Sequence, residues 1–324
     1  MIKLIVGVDV SKAHLDLVFL KAGKAQHHKV TNDKAGHKKI LSLIPNSSCV
    51  VMESSGPYFL SLAAFLKAHE VSVSVVNPLS VKRFIQMKGE RNKSDKKDAY
   101  WIMSYGQEQP LKEWELPNEL QLKCARLYSL RALYVKQLTM LTNHSQSVTI
   151  TGMVDKDVKQ SIAPMIKHFK LACEKLDAKL DKLLKEWQPE QYRNLQTIPG
   201  VGKQVAMVLI IKTNGFSNLE NYRQLISMAG LTPREYSSGS SVRAKVRICK
   251  NGGSEIRRIV YLSSMTAIRY NRQCKTLFDR LKCRGKNGKV ALIAVCNKIL
   301  KQAFAIAKSG VPYHADYTSK LVVN

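Results

Sequence analysis

Met1-Ile2-Lys3-Leu4-Ile5-Val6-Gly7-Val8-Asp9-Val10-Ser11-Lys12 sets one carboxylate inside an apolar, β-branched run. Such a run suits a strand covered on both faces. A buried carboxylate without a partner there costs several kcal/mol or takes up a proton. Asp9 therefore needs a divalent cation, a core hydrogen bond or a lysine such as Lys12, and the strand by itself leaves all three open.

Working outward, His14–Leu20 reads as a second strand, and Gly23 with the polar run to Thr31 predicts a hairpin into a third. A helix is expected over Ala35–Leu43. Cys49–Met52 is a further strand that ends on Glu53, before the turn Ser54-Ser55-Gly56-Pro57. Tyr58–His69 has helical spacing, Val71–Val76 is again β-branched, and Asn77-Pro78 breaks it before a helix from about Leu79. This alternation implies an α/β layer with a mixed sheet. In Arg91-Asn92-Lys93-Ser94-Asp95-Lys96-Lys97-Asp98-Ala99, Ser94 is the expected N-cap, and Asp95 and Asp98 share one face of the following helix. The helix macrodipole alone would also favour acids in that first turn.

The second half reads as mainly helical. Cys124, Leu127, Leu130, Tyr134, Leu138 and Leu141 step by three or four. After a break around Gly152, Ile162, Ile166, Phe169, Cys173, Leu176, Leu180, Leu183 and Trp187 alternate strides of four and three. Two long helices with a coiled-coil seam are expected, and with them self-association. Ile198-Pro199-Gly200-Val201-Gly202-Lys203 reads either as a helix-hairpin-helix turn that offers backbone N–H groups to a phosphate, or as a plain αα-hairpin. Tyr236-Ser237-Ser238-Gly239-Ser240-Ser241 opens onto Arg243, Lys245, Arg247 and Lys250. Arg257 and Arg258 follow on a helix, and Arg284, Lys286 and Lys289 surround a second glycine loop.

Charge narrows the partners. The 324 residues carry 52 Lys and Arg against 24 Asp and Glu, a net charge of +28. Between Gln191 and Asn324 there are 23 Lys and Arg against 5 Asp and Glu, so +18 of that +28 lies there. Nucleic acid is the expected partner, ahead of a membrane, because the cations are not laid along one amphipathic helix. Neither a membrane span nor a secretory leader is expected. Seven scattered cysteines without a CxxC pair read as a reducing cytosol with neither zinc nor disulfides.

Asp9 and Glu53 on strands with Asp95 and Asp98 on a helix form an ordered acid set. Bare anions do not gather, but Mg²⁺ or Mn²⁺ ions, two of them about 4 Å apart, would hold the cluster together and clamp a phosphoryl displacement. Order and placement match a ribonuclease H-like fold.

Gly7-Val8-Asp9-Val10-Ser11-Lys12, Met52-Glu53-Ser54-Ser55-Gly56-Pro57-Tyr58, Asn77-Pro78 and the Arg91–Ala99 segment resemble the RuvC-like DEDD domain of one insertion-sequence transposase family, which includes the Piv-type DNA invertases. Ile198–Gly202, Ala229-Gly230-Leu231-Thr232-Pro233 and Ser238–Tyr261 resemble its second half, so the likeness spans nearly the whole chain. The resemblance implies a RuvC-like metal-binding domain at 1–110, coiled-coil helices at 111–190 and a basic transposase domain at 191–324. It implies a DNA recombinase that forms a covalent serine–DNA link, with Asp9, Glu53, Asp95 and Asp98 as metal ligands and Ser238 as nucleophile. Lys203, Arg243, Lys245, Arg247, Lys250, Arg257, Arg258, Arg284, Lys286 and Lys289 are the expected nucleic-acid contacts. It also implies a guide non-coding (bridge) RNA, a homodimer that becomes a tetramer in the synaptic complex, and a cytoplasmic, nucleoid-associated prokaryotic setting. Ser237 stands where relatives often carry an acid, and Ser240 and Ser241 remain open as nucleophiles. A metal-only, junction-resolving endonuclease and a DNA invertase are the alternatives.

Overall fold

The computed structural model describes residues 4–54, 56–89, 94–150, 156–234, 237–238, 242–243 and 247–315. The chain divides into two compact units, Met1–Pro117 and Asn118–Asn324.

The first unit is built on β1 (Leu4–Val10), β2 (His14–Lys21), β3 (Lys24–Thr31), α1 (Lys34–Leu43), β4 (Ser48–Glu53), α2 (Phe59–Ala68), β5 (Ser72–Val76), α3 (Pro78–Met87) and α4 (Asp95–Glu108). Its five strands lie in the order β3-β2-β1-β4-β5. The first three are antiparallel neighbours, whereas β4 and β5 run parallel to β1. This mixed order is the ribonuclease H-like arrangement that the acid spacing predicts.

Local chemistry sets each turn. Ser11 Oγ donates to the His14 carbonyl at 2.7 Å and accepts from the His14 N–H at 3.0 Å, which closes the first hairpin. Lys21 pairs with Lys24 across Ala22 and Gly23, both at positive φ (48° and 75°), as a two-residue hairpin with matching strand twist demands. Asp33 caps α1, Asn77 caps α3 with Pro78 in its first turn, and Ser94 caps α4 by accepting from the Lys97 N–H at 3.3 Å.

Strand alternation then decides what faces what. Val6, Val8 and Val10 turn to one side and join Leu15, Leu17, Val50, Met52, Ile40 and Leu62 beneath α1 and α2. Ile5, Gly7 and Asp9 turn to the other, where α4 lies. The approach is close enough that a Cβ on Gly7 would stand 2.2 Å from the Ala99 carbonyl oxygen and 2.3 Å from the Met103 nitrogen. Gly106 similarly abuts Ile5 and Val51. Thus α4 descends β1 antiparallel, with Gly106 over Ile5, Ala99 and Met103 over Gly7, and its first turn over Asp9.

The second unit holds α5 (Glu119–Ile150), α6 (Lys156–Trp187), α7 (Pro189–Leu195), α8 (Lys203–Thr213), α9 (Tyr222–Met228), short strands β6 (Pro233–Arg234), β7 (Ser237–Ser238), β8 (Val242–Arg243) and β9 (Arg247–Ile248), then α10 (Ser254–Tyr270), α11 (Arg272–Cys283) and α12 (Gly288–Ser309). The two long helices expected from the sequence are present and pack on each other, joined by Arg131 to Asp177 and by Tyr134 edge-on to Phe169. The break around Gly152 lies outside the described residues. Helix α8 is buried along nearly its whole length. Among the described residues α12 is long and apolar enough to cross a membrane, a feature not anticipated from the sequence. Its Val295, Cys296, Ile299, Leu300 and Ala303 are buried in the core of this unit.

Candidate active site

The register places the acids. Val8 pairs with Met52 in the parallel β1–β4 ladder, so Asp9 and Glu53 are the next residues along their strands, on the face that carries Gly7 and Val51. Asp95 and Asp98 come from the first turn of α4 above that face. On the other side Asp9 pairs across the antiparallel ladder with Asp16, which sequence reasoning missed. Five carboxylates from β1, β2, β4 and α4 therefore share one end of one sheet face.

Their electrostatics show on Asp9, whose carboxyl is pushed from its ordinary 3.8 up to about 6. Burial is the largest cause, followed by the negative charges of Asp98, Glu53, Asp95 and Asp16. Asp16 is itself 5% exposed, and the edge strand partners it, with His27 Nε2 2.8 Å from one oxygen and Lys29 Nζ 3.7 Å from the other. Lys29 also lies 3.9 Å from Asp95. The signal for Asp16 was present in the sequence only as a register, because the Ser11–Ala13 turn sets it opposite Asp9.

No group of three His, Cys, Asp or Glu among the described residues is drawn together into a ready metal cage. The donor set nonetheless fits a hard divalent cation, since it is all carboxylate oxygen, and burial, followed by the neighbouring negative charges, already raises the Asp9 carboxyl to about 6. Asp9, Glu53, Asp95 and Asp98 are the residues that would hold it.

The serine segment belongs to the second unit. Strand β6 pairs with β9, and within them β7 pairs with β8, with Ser237 opposite Arg243 and Ser238 opposite Val242. Ser238 is the last described residue of β7. Gly239, Ser240, Ser241 and Lys245 lie outside the described residues, as do Ser55 and Arg91–Lys93. Of the expected cationic contacts, Lys203, Arg247, Lys250, Arg258, Arg284, Lys286 and Lys289 are exposed. Lys203 stands 3.9 Å from Asp181. Arg257 turns inward instead, where its Nη1 donates to the Ala229 carbonyl at 3.0 Å and closes over Gly230, whose φ of +67° turns the chain toward β6. Glu255, close to Arg258 on the same helix, accepts from Tyr128 at 2.5 Å and pairs with Lys212 at 2.8 Å, anchoring the start of α10.

Comparison with known families agrees with this geometry. Residues 6–149 match the model of the DEDD transposases of the IS110 type, and residues 192–279 match the model of the IS116/IS110/IS902 transposase family. The chain belongs to this transposase family. A pilin gene-inverting protein of Moraxella lacunata is 26% identical to this transposase over 323 residues, covering 97% of this chain and 98% of that one. The transposase of insertion element IS1328 from Yersinia enterocolitica is 22% identical over 339 residues, covering 93% and 99%. Thermus thermophilus RuvC in complex with a Holliday junction substrate is similar over 35% of this chain and 99% of its own, with 16% identity and a TM-score of 0.28. The transposase's own strand order, not that low score, identifies the sheet.

Proposed function

We propose that this transposase cuts and rejoins DNA strands through a covalent serine–DNA intermediate. The observation that carries the reading is the convergence of Asp9, Glu53, Asp95 and Asp98 on one sheet face, with Asp9 held up at about 6 by burial and by its neighbours, in a chain of net charge +28.

When bound to these acids, Mg²⁺ or Mn²⁺ would supply Lewis-acid stabilisation of charge at the scissile phosphate. The Ser238 hydroxyl attacks phosphorus, forming a serine–phosphate ester as the bond from phosphorus to one deoxyribose oxygen breaks. The serine proton leaves to a base, and the departing oxygen takes up a proton. In the second half the incoming strand's hydroxyl attacks the same phosphorus and releases Ser238. One phosphodiester is exchanged for another, so no outside energy source is required. A free serine hydroxyl is a weak nucleophile, so the 191–324 domain must bring Ser238 to the acids of the 1–110 domain, in the same or a second protomer.

The long helices of 111–190 would form the coiled coil that joins protomers, giving a dimer and then a synaptic tetramer. The glycine turn before Lys203 would act as a helix-hairpin-helix phosphate contact. The exposed cations from Lys203 to Lys289 hold nucleic acid, and a structured guide RNA would choose the sequence by base pairing. The setting is the prokaryotic cytoplasm. Likeness to a gene-inverting protein over nearly its whole length favours inversion of a DNA segment as the second reading. A metal-only endonuclease is the third, favoured by the acids all lying within one compact unit.

The test is to incubate the protein with cognate DNA and Mg²⁺, denature it, and resolve protein–DNA adducts. An adduct that Ser238→Ala removes is expected. Cleavage without any adduct would leave the metal-only endonuclease.

A further inference from the structure

A groove runs along the outer edge of β3, the edge strand of the acid-bearing sheet. His14, Lys29, Thr31, Gly36 and Lys39 line a cavity of about 510 Å³ there. No acid is among its lining residues. The nearest acid in sequence, Asp33, is committed to the cap of α1, accepting from the Gly36 N–H at 2.8 Å and from Thr31 Oγ1 at 3.0 Å. Gly36 keeps the groove shaped, because any Cβ there would stand 1.8 Å from the Thr31 carbonyl oxygen.

One lining residue also reaches the candidate active site. Lys29 is half exposed and stands 3.7 Å from Asp16 and 3.9 Å from Asp95, at the outer limit of an ion pair and therefore weakly held. A cation so placed is shared between the groove and the carboxylates. We propose that this groove binds the backbone of the DNA strand entering the acid cluster, with Lys29 and Lys39 each contacting a phosphate beside the one that is cut. The proposal rests on the recombinase reading, and it adds a strand path on the acid-bearing unit.

The experiment is a salt titration of affinity. Full-length protein, Lys29→Met/Lys39→Met, Lys29→Arg/Lys39→Arg and a control with Lys34→Met/Lys38→Met are titrated with a fluorescent single-stranded DNA oligonucleotide. Buffers contain EDTA and span roughly 50 to 300 mM KCl, the range over which counterion release is resolved. The groove variant is expected to weaken DNA binding and to flatten the slope of log K against log salt by about 0.7 for each phosphate that is no longer neutralised. The arginine pair should restore the slope. An unchanged DNA slope in a variant whose thermal melt matches the parent overturns the proposal. So does an equal loss from the Lys34/Lys38 control. Should the parent protein bind no DNA, the recombinase reading fails and the groove falls with it.

Discussion

The acids and the serine sit in two differently made regions of one chain. Asp9, Glu53 and Asp16 ride on adjacent strands of a five-stranded sheet, and Asp95 and Asp98 on a helix packed so closely on it that only glycine fits beneath. Ser238 closes a two-residue ladder between β7 and β8. The first construction fixes positions through many shared hydrogen bonds and a packed core, as preorganised charge requires. Among the described residues the second shows two backbone pairs, Ser237 with Arg243 and Ser238 with Val242. On the proposed reading, the acids come from a packed sheet and helix whereas the serine comes from a separate short ladder, so cleavage requires the two to be brought together.

The largest expected effect separates the two regions. Asp9→Ala should lower both strand cleavage and adduct formation by at least about a thousandfold, a loss of roughly 4 kcal/mol. Ser238→Ala should remove the adduct to the same degree while leaving DNA affinity in a filter-binding assay within about twofold. Residual nicking by Ser238→Ala that Mg²⁺ supports would mean that the acids hydrolyse DNA without the serine, and the comparison would have to be redrawn as nuclease and accessory hairpin. Gly7→Ala comes next. Its Cβ would collide with the Ala99 and Met103 backbone, lifting the α4 first turn off Asp9 at a cost of about 3 kcal/mol in urea unfolding. The same substitution should blunt the protein's thermal response to Mg²⁺. In the parent, that response should reach about 2.7 kcal/mol at roughly a hundredfold excess over the dissociation constant, read as a shift in melting. A full Mg²⁺ response in Gly7→Ala would break the link between the tight packing and the acids.

How much of this was legible follows the same division. Strand alternation and N-caps are local, so Asp9, Glu53, Asp95 and Asp98 could be placed on their elements from spacing alone, and the order of those elements pointed to the sheet. Asp16 could not be found that way, because its place beside Asp9 depends on a cross-strand register that a three-residue turn decides. Lys29 needs a second register, β2 to β3, on top of the first. In the helical unit the long-range pairs defeat sequence reading, since Tyr128 and Glu255 are 127 residues apart. Arg257 looks like any cation in a basic stretch until its guanidinium is seen holding the Ala229 carbonyl.

The smallest effect is the sharpest on the acid cluster itself, because it asks what burial and the neighbouring acids cost the Asp9 charge without metal. The folded protein holds the Asp9 proton up to about pH 6, whereas the unfolded chain releases it near 3.8. Between those values the native state binds the extra proton, so Asp9's contribution to stability falls as pH rises through that window and is lowest above 6. Asp33 works in the opposite sense, its carboxyl held low chiefly by the Gly36 N–H, and it cancels when two proteins share it. Urea unfolding in EDTA at about pH 4, 5, 6 and 7 should therefore show Asp9→Asn gaining on the parent by about 1–2 kcal/mol as pH rises, a figure discounted from the full shift because the site is partly open to solvent. Parallel curves would mean that neither burial nor the four neighbouring acids holds the Asp9 proton in the folded protein. A widening gap that Mg²⁺ closes would show that a cation relieves the cost that burial and the neighbouring acids place on the Asp9 charge.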